Sequence, residues 1–340
     1  MASSSNQGRG KGRGRNFSKE GKGRGRAEMW CYCRTTYMPM SYLYGNRIQG
    51  PITQLVISLR KEIHLTPYED INWNKQRNNC CKDDFYYPHS FLQDALWDSL
   101  HYLTEPFLRY WPFSKLRDIS LNRVVELMRY ESEETRYMTI GCVEKSLQMM
   151  CWWAENPNGD EFKYHLARVP DYLWIAEDGM TMHSFGSQVW DCSLATQAIL
   201  SSNMAEEYGD CLQKAHFYLR ESQVRENPSG DFTKMCRQFT KGSWTFSDQD
   251  QGWTVSDCTA EALKCLLLLS QMPKEIAGEK ADVVRLYEAV NVLLYMQHHE
   301  KVLVIADDYK TLFVVNGKWP RHAVLVPPVV DNQVALVEIY

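Results

Sequence analysis

Two carboxyl residues, Asp257 and Glu261, lie four positions apart at the beginning of an apolar segment of the chain. From Cys258 the apolar residues recur at helical intervals towards Met272, which predicts an α-helix. The helix therefore carries both carboxyls, Asp257 and Glu261, on one face and one turn apart. The alternative is that Ser256 or Asp257 serves only as the N-cap of the helix.

The composition narrows the classes of function. The formal net charge of −4 over 340 residues argues against a polyanionic partner for the whole chain. The 11 Trp, 19 Tyr and 12 Phe offer more aromatic faces than a core ordinarily needs. The 11 cysteines are scattered and no signal peptide implies an oxidising compartment, so we expect reduced thiols. They include no CxxC pair or spaced Cys/His set, so we expect no structural zinc, and we expect no other metal. The longest apolar run is too short to span a bilayer, so any membrane contact would be monotopic.

The elements that must position these side chains are helices. Amphipathic helical patterns alternate with Pro-, Gly- and Trp-containing loops, and extended alternating runs are scarce before residue 300. The chain is therefore predicted to be all-α, an array of helical hairpins. The predicted helices are 52–62, 90–102, 121–130, 142–154, 193–204, 206–220, 257–272 and 283–296.

Residues 1–28 form a separate Gly/Arg-rich segment with almost nothing to bury, so we expect this tail to be disordered. Such a tail could contact RNA phosphates, but it lacks aromatic residues beyond Phe17 that would give specificity. We therefore expect no specific nucleic acid partner. A weakly RNA-associated protein and a merely solvated tail both remain open.

A degenerate repeat occurs between residues 217 and 253. An aromatic residue and Leu are followed by a Gln, a Gly and a second aromatic residue, and the Gln, Gly and Trp then recur as Gln249, Gly252 and Trp253. A Gln at a helix end can hydrogen-bond the backbone of the next helix while a Trp packs beside it. The pattern predicts that neighbouring hairpins are tied together in this way, with chance as the alternative in a Trp-rich chain.

Several short motifs occur between Met29 and Gln297. In order, they are Met29-Trp-Cys-Tyr-Cys-Arg34, Arg168-Val-Pro-Asp-Tyr-Leu-Trp174, Glu177-Asp-Gly-Met180, Gly186-Ser-Gln-Val-Trp-Asp191, Asn227-Pro-Ser-Gly-Asp231, Gly242-Ser-Trp-Thr-Phe-Ser-Asp248 and Asp257-Cys-Thr-Ala-Glu261. Together these motifs resemble a plant oxidosqualene cyclase of the terpene cyclase/mutase family. The resemblance implies a pair of incomplete α/α barrels, with residues 29–150 ending the first and residues 151–297 beginning the second. Residues 298–340 resemble nothing in the family, so the chain is expected to be truncated relative to a full cyclase.

The resemblance also implies a reaction, the cofactor-free cyclisation of 2,3-oxidosqualene to a polycyclic triterpene alcohol. It assigns Asp257 as the acid that protonates the epoxide, Cys258 as a thiol that hydrogen-bonds this acid, and Glu261 as the carboxylate that relays protons to it. Epoxide opening needs a protonated acid in a dry pocket, and aromatic faces stabilise the migrating cation without attacking it. The residues expected to line the substrate cavity are Trp30, Tyr32, Phe185, Trp190, Gln251, Trp253 and Val255.

Trp30 and Tyr32 carry the signal for the product. Within the family, Tyr at position 32 is typical of enzymes that form pentacyclic triterpenes, and Trp at position 30 is typical of the β-amyrin type. We therefore expect a β-amyrin-like product, although Gln251 stands where many relatives carry His. The expected location is the cytosolic side of the endoplasmic reticulum membrane or a lipid droplet surface. The alternative is a truncated fragment without catalytic activity.

Overall fold

The fold is described by a computed structural model that covers residues 31–76, 79, 81, 83, 90–300, 302–307 and 311–316. The longer helices are α1 (Cys31–Gly45), α2 (Gln54–Ile63), α3 (Phe91–Ser99), α4 (Ser114–Glu134), α5 (Cys142–Glu155), α6 (Asp160–Ala167), α7 (Gln188–Ser201), α8 (Gly209–Glu221), α9 (Ser256–Leu269) and α10 (Val283–Glu300). The shorter helical turns are Tyr68–Asp70, Trp73–Gln76, Leu100–Thr104, Glu105–Phe107, Val169–Tyr172, Gln249–Gln251 and Lys274–Ala277.

Two antiparallel hairpins complete the fold. Strands β1 (Leu173–Ala176) and β2 (Gly179–Met182) pair with Leu173 opposite Met182. Strands β3 (Val302–Asp307) and β4 (Thr311–Asn316) pair with Val302 opposite Asn316. The predicted all-α class is confirmed, because these hairpins are small additions to a helical chain. The alternating pattern of the first hairpin is too short to be recognised in the sequence.

The helices pack into two main cores. In the first, α1 lies against α4 and α5 around Met38, Leu127 and Trp152, which are buried. In the second, α9 is the central helix and packs against α7, α8 and α10, with Trp244 and Leu266 fully buried. A third, smaller cluster of Cys31, Ile140 and Trp253 connects the two cores. The proposed division at residue 150 stays a prediction, and that residue lies inside α5.

Tertiary contacts decide where α7 begins. The sequence pattern predicts a start at residue 193, whereas the helix begins at Gln188. The backbone N–H of Val189 donates to Ser247 O at 3.0 Å, and that of Trp190 donates to Phe246 O at 3.4 Å. The first N–H groups of a helix have no partner within the helix, so the 246–247 segment supplies acceptors that periodicity cannot reveal.

Contacts of the kind predicted for Gln and Trp are present between α8 and its neighbours. The Gln223 side chain donates to Gly242 O at 2.8 Å and to Arg285 O, near the beginning of α10, at 2.9 Å. The Trp244 indole donates to Leu219 O at 2.7 Å from a fully buried position. These bonds join the end of α8 to the next helices, while the repeat itself stays a prediction.

Large parts of the described surface are apolar. Exposed residues between 91 and 119 include Phe91, Leu92, Tyr110, Trp111 and Ile119, each at least 66% exposed. The first hairpin also presents Trp174, Ile175 and Met180 to solvent. Exposed apolar surfaces of this extent usually mark a face that contacts another surface. No helix in the described part of the chain is long and apolar enough to cross a membrane.

Candidate functional site

The candidate acid, Asp257, lies in the first turn of α9, but it is not the N-cap. The N-cap position is Val255, and neither Ser256 nor Asp257 caps the helix, so the predicted cap is wrong. No side chain caps the helix, but the Thr259 hydroxyl donates to Val255 O at 2.7 Å and accepts from Trp244 N at 3.0 Å. Tertiary contact with the Trp244 segment therefore fixes the start of the helix, and the Asp257 carboxylate makes only a 3.2 Å contact with Cys258 N.

Asp257 and Glu261 differ in their surroundings. Asp257 is exposed to solvent, whereas the Glu261 side chain is 18% exposed. Gln197, on α7, donates its side-chain N–H to Glu261 Oε2 at 2.6 Å, and Lys264 Nζ lies 3.9 Å from the same oxygen. The Glu261 carboxylate is thus positioned by the amide of Gln197 and the ammonium group of Lys264. Gln197 was not identified from the sequence, because 64 residues separate it from Glu261.

Cys258 follows Asp257 in the first turn of α9 and is completely buried in the core around this helix. Burial raises the pKa of its thiol, and the negative charges of Asp257 and Glu261 raise it further. The thiol therefore stays protonated at neutral pH. A protonated thiol is a weak hydrogen-bond donor and a poor nucleophile, which suits a neighbour that must support an acid without reacting.

Four aromatic side chains form two pairs near the beginnings of α1 and α7. Tyr32 and Phe185 contact each other with ring centroids 5.5 Å apart and tilted by 42°. Trp190 stacks with Phe246 at 6.2 Å and 25°, and both rings pack against the core that contains Cys258. Tyr32, Phe185 and Trp190 were predicted as cavity residues. Phe246 was not singled out, although it occurs within one of the quoted motifs.

Glu144, on α5, is a buried carboxyl that the sequence did not reveal. It is fully buried, its Oε2 has no hydrogen-bond partner among the described residues, and Thr36 donates to its Oε1 at 3.4 Å. A methyl group built on Gly141 would lie 2.7 Å from Oε2 and 3.4 Å from the Phe185 ring, so this oxygen borders the Tyr32–Phe185 pair. Burial raises the pKa of Glu144, and its charge is the main cause that raises the pKa of Tyr32.

Trp253 lies in a buried ion cluster. Its indole N–H donates to Glu131, and the guanidinium of Arg237 lies over its ring, 4.1 Å from the centroid. Glu131 also contacts Arg237 at 3.2 Å and Arg34 at 3.4 Å, and all three charged side chains are at most 3% exposed. The role of Trp253 as a cavity aromatic stays a prediction, and its observed role is to join the α9 segment to α1 and α4.

The other predicted cavity residues are distributed around this cluster. Gln251 is buried in the same region, where its Oε1 has no hydrogen-bond partner among the described residues. Val255 packs at the edge of the α9 core. Trp30 lies outside the described residues, as does the tail of residues 1–28. The structure therefore brings together Asp257, Cys258 and Glu261, and separately pairs the cavity aromatics.

Comparisons with known proteins give one consistent result, although no protein-family model matches the chain. An α-onocerin synthase of Lycopodium clavatum is 41% identical over 265 residues, 78% of this chain and 34% of the relative. A cycloartenol synthase of Dictyostelium discoideum is 40% identical over 79% of this chain and 37% of the relative. A human lanosterol synthase is 39% identical, again over 79% of this chain and over 36% of the relative.

The chain thus spans about a third of the length of the curated relatives that it matches. These relatives belong to the family that the motifs around Asp257 resemble. None of their names supports a β-amyrin product in particular. The helical fold agrees with the fold implied by these motifs. Over 78% of its length, this chain is a homologue of the oxidosqualene cyclases, which are isomerase-type enzymes.

Proposed function

We propose that this chain carries the proton-donating segment of an oxidosqualene cyclase that converts 2,3-oxidosqualene to a triterpene alcohol. The observation that carries the proposal is the Asp257–Cys258–Glu261 arrangement at the beginning of α9, within the region that is about 40% identical to cyclases. In this proposal Asp257 protonates the epoxide oxygen, the C–O bond breaks, and the first carbocation forms. The protonated thiol of Cys258 supports the acid.

Proton return to Asp257 is the role proposed for Glu261. The two carboxyls lie one helical turn apart, and Glu261 is held by Gln197 and is partly open to solvent. A carboxylate in this position can pass a proton from water to the acid after each turnover. The aromatic pairs Tyr32–Phe185 and Trp190–Phe246 would stabilise the moving cation, at roughly 0.5 to 2 kcal/mol for each ring.

The proposed product is β-amyrin-like, on the basis of Trp30 and Tyr32. The contact of Tyr32 with Phe185 supports this proposal, because it places Tyr32 beside another aromatic residue expected to line the cavity. Gas chromatography with mass spectrometry of the products tests this assignment. The Tyr32→His variant should shift the products away from a pentacyclic alcohol, and an unchanged product profile would contradict the role of Tyr32.

The test of the acid uses the chain and a hybrid. In the hybrid, residues 29–297 replace the matching segment of the human lanosterol synthase, whose remaining chain supplies the other parts of a full cyclase. We expect cyclic triterpene from the hybrid, and loss of the product on Asp257→Asn. Asp210→Asn is the matched control, because Asp210 is an exposed acid in the first turn of α8. A hybrid that folds and stays active with Asn at position 257 would refute the proposed acid.

A second candidate, a fragment without catalytic activity, is favoured by the exposure of Asp257. An acid that opens an epoxide requires a pocket closed to water, and in this chain the carboxyl faces solvent. An active hybrid together with an inactive chain would assign this second function to the chain. Activity of the chain by itself would rule it out.

The proposed location is a membrane or lipid-droplet surface, contacted through α2. Leu55, Leu59 and Ile63 recur every four residues along one face of this helix and are 68%, 42% and 70% exposed. An amphipathic helix with such a face can lie in the interfacial plane of a bilayer. The triple serine variant should lose co-sedimentation with phosphatidylcholine vesicles. Serine variants of Leu92 and Leu96, equally exposed leucines on α3, should keep it, and equal binding of both sets would contradict the assignment.

A further inference from the structure

An open cleft with a surplus of positive charge lies between the end of α8 and the beginning of α10. Its empty volume is about 690 Å³. The cationic side chains that line it are Arg220, Arg225, Lys280 and Arg285, and the carboxylates are Glu221 and Asp282. Four positive charges thus face two negative charges, in a chain whose formal net charge is −4.

Both carboxylates of the cleft already have partners. Glu221 pairs with Arg225 at 2.5 Å, so these two charges neutralise each other. Asp282 accepts a hydrogen bond from the backbone N–H of Val284 at 2.9 Å, in the first turn of α10. In the described part of the chain, no carboxylate lies within salt-bridge distance of Arg220, Lys280 or Arg285. Glu221 is thus neutralised by Arg225, and the charge of Asp282 leaves two of the remaining three positive charges unmatched.

Two of these cations are held rigidly. Arg285 donates through Nε to Gln223 Oε1 at 2.8 Å and through Nη2 to Gln223 O at 3.3 Å, and Gln223 is 2% exposed. Arg220 donates through Nη1 to the backbone oxygens of Glu279 and Lys280, at 2.7 and 3.3 Å. Its Nε atom is buried and has no hydrogen-bond partner among the described residues. These hydrogen bonds to the backbone and to the buried Gln223 fix the orientation of both guanidinium groups.

From this geometry we propose that the cleft binds a phosphate group. Guanidinium groups fixed in a planar orientation match the oxygens of a phosphate, and a mobile lysine adds a third charge. Arg285 and Lys280 contact the phosphate oxygens, and Arg220 contributes its positive charge at the edge of the cleft. The site lies on the α8–α10 side of the chain and does not depend on cyclisation.

The test measures binding of inorganic phosphate and diphosphate to the full chain by titration calorimetry at low ionic strength. We expect Lys280→Gln and Arg285→Lys each to weaken the binding about tenfold, which corresponds to about 1.4 kcal/mol. The Lys280 side chain is exposed, and its contact with Arg220 is made by the backbone oxygen, so the variant should fold normally. Lys163→Gln, which removes the same charge from the exposed face of α6, is the control and should bind as the wild type does.

Vesicles distinguish a free phosphate from a lipid headgroup. The α2 triple serine variant is mixed with phosphatidylcholine vesicles that contain or lack a phosphoinositide, so that α2 does not contribute to binding. Phosphoinositide-dependent binding that Lys280→Gln removes assigns the site to a headgroup, and binding of free phosphate alone assigns it to a solute. Absence of binding in both arms, or binding that is equal in Lys280→Gln and Lys163→Gln, would overturn the proposal.

Discussion

Lys145, on α5, is a buried amine with no carboxylate within salt-bridge distance among the described residues, and its replacement by Met tests how the fold tolerates it. The side chain is 1% exposed; its Nζ donates to Tyr137 O at 2.7 Å and contacts His165 Nδ1 at 3.0 Å. An ammonium group has no lone pair, so Nδ1 accepts and the hydrogen of the neutral imidazole is on Nε2. His165 Nε2 donates this hydrogen to Ser132 Oγ, and the two heavy atoms are 3.1 Å apart.

Burial lowers the pKa of Lys145 from 10.5 to about 7, and the positive charge of Arg168 lowers it further. At about 1.4 kcal/mol per pH unit, this difference corresponds to roughly 5 kcal/mol. Below pH 7 the folded protein bears the full cost of a buried ammonium group. Between pH 7 and 10.5 the unfolded chain binds more protons, so the free energy of unfolding rises with pH. The rise due to this one group is about 2 kcal/mol from pH 7 to pH 9.

The assay is urea unfolding, followed by circular dichroism, at pH values between 6 and 9. Other groups titrate in the same range, notably the cysteines, whose buried thiols have raised pKa values. Lys163→Met therefore serves as the control, because Lys163 lies on α6 and its side chain is 60% exposed. We expect Lys145→Met to lose the rise of about 2 kcal/mol relative to this control. Equal pH dependence in both variants would refute the assigned burial cost.

Three further predictions concern single residues. Burial raises the pKa of Glu144, so as pH rises above 4.5 the unfolded chain releases this proton before the folded protein does. Glu144→Gln should therefore increase the free energy of unfolding at pH 7 but not at pH 4, as measured by urea unfolding. Glu131→Gln leaves two buried guanidinium groups without their carboxylate and should destabilise the fold by roughly 3–5 kcal/mol, whereas a loss under 1 kcal/mol would contradict the ion cluster. Gly242 has a φ of +93°, and a methyl group there would lie 2.6 Å from the Glu288 backbone. Gly242→Ala should therefore lower the melting temperature and reduce stability by at least about 2 kcal/mol. An unchanged melting temperature would contradict this close approach.

The candidate site was predictable only in part. The spacing of Asp257 and Glu261 was enough to place both on one helical face, because helical periodicity is a local property. The partner of Glu261 was not predictable, since Gln197 belongs to a different helix and has no local signal. The same holds for Glu144, whose burial depends on how α5 packs beneath the segment around Phe185.

The helix boundaries show the same division. The sequence pattern identified the helix that begins at Ser256, but it assigned the cap to Ser256 or Asp257 instead of Val255. Local propensity favours Ser and Asp at an N-cap, yet here Thr259 and the Trp244 segment hold the start of the helix. A tertiary contact therefore outweighed a preference worth about 1 kcal/mol.

By itself, the sequence determined the helical class, the order of the family motifs and the placement of two carboxyls on one helical face, because these depend on residue type and short-range spacing. Only the tertiary structure decided which of these residues meet and which face water. It buried Cys258 while leaving Asp257 exposed, and it placed Trp253 among two guanidinium groups. Burial and charge pairing depend on contacts between segments more than a hundred residues apart, such as that of Glu131 with Trp253.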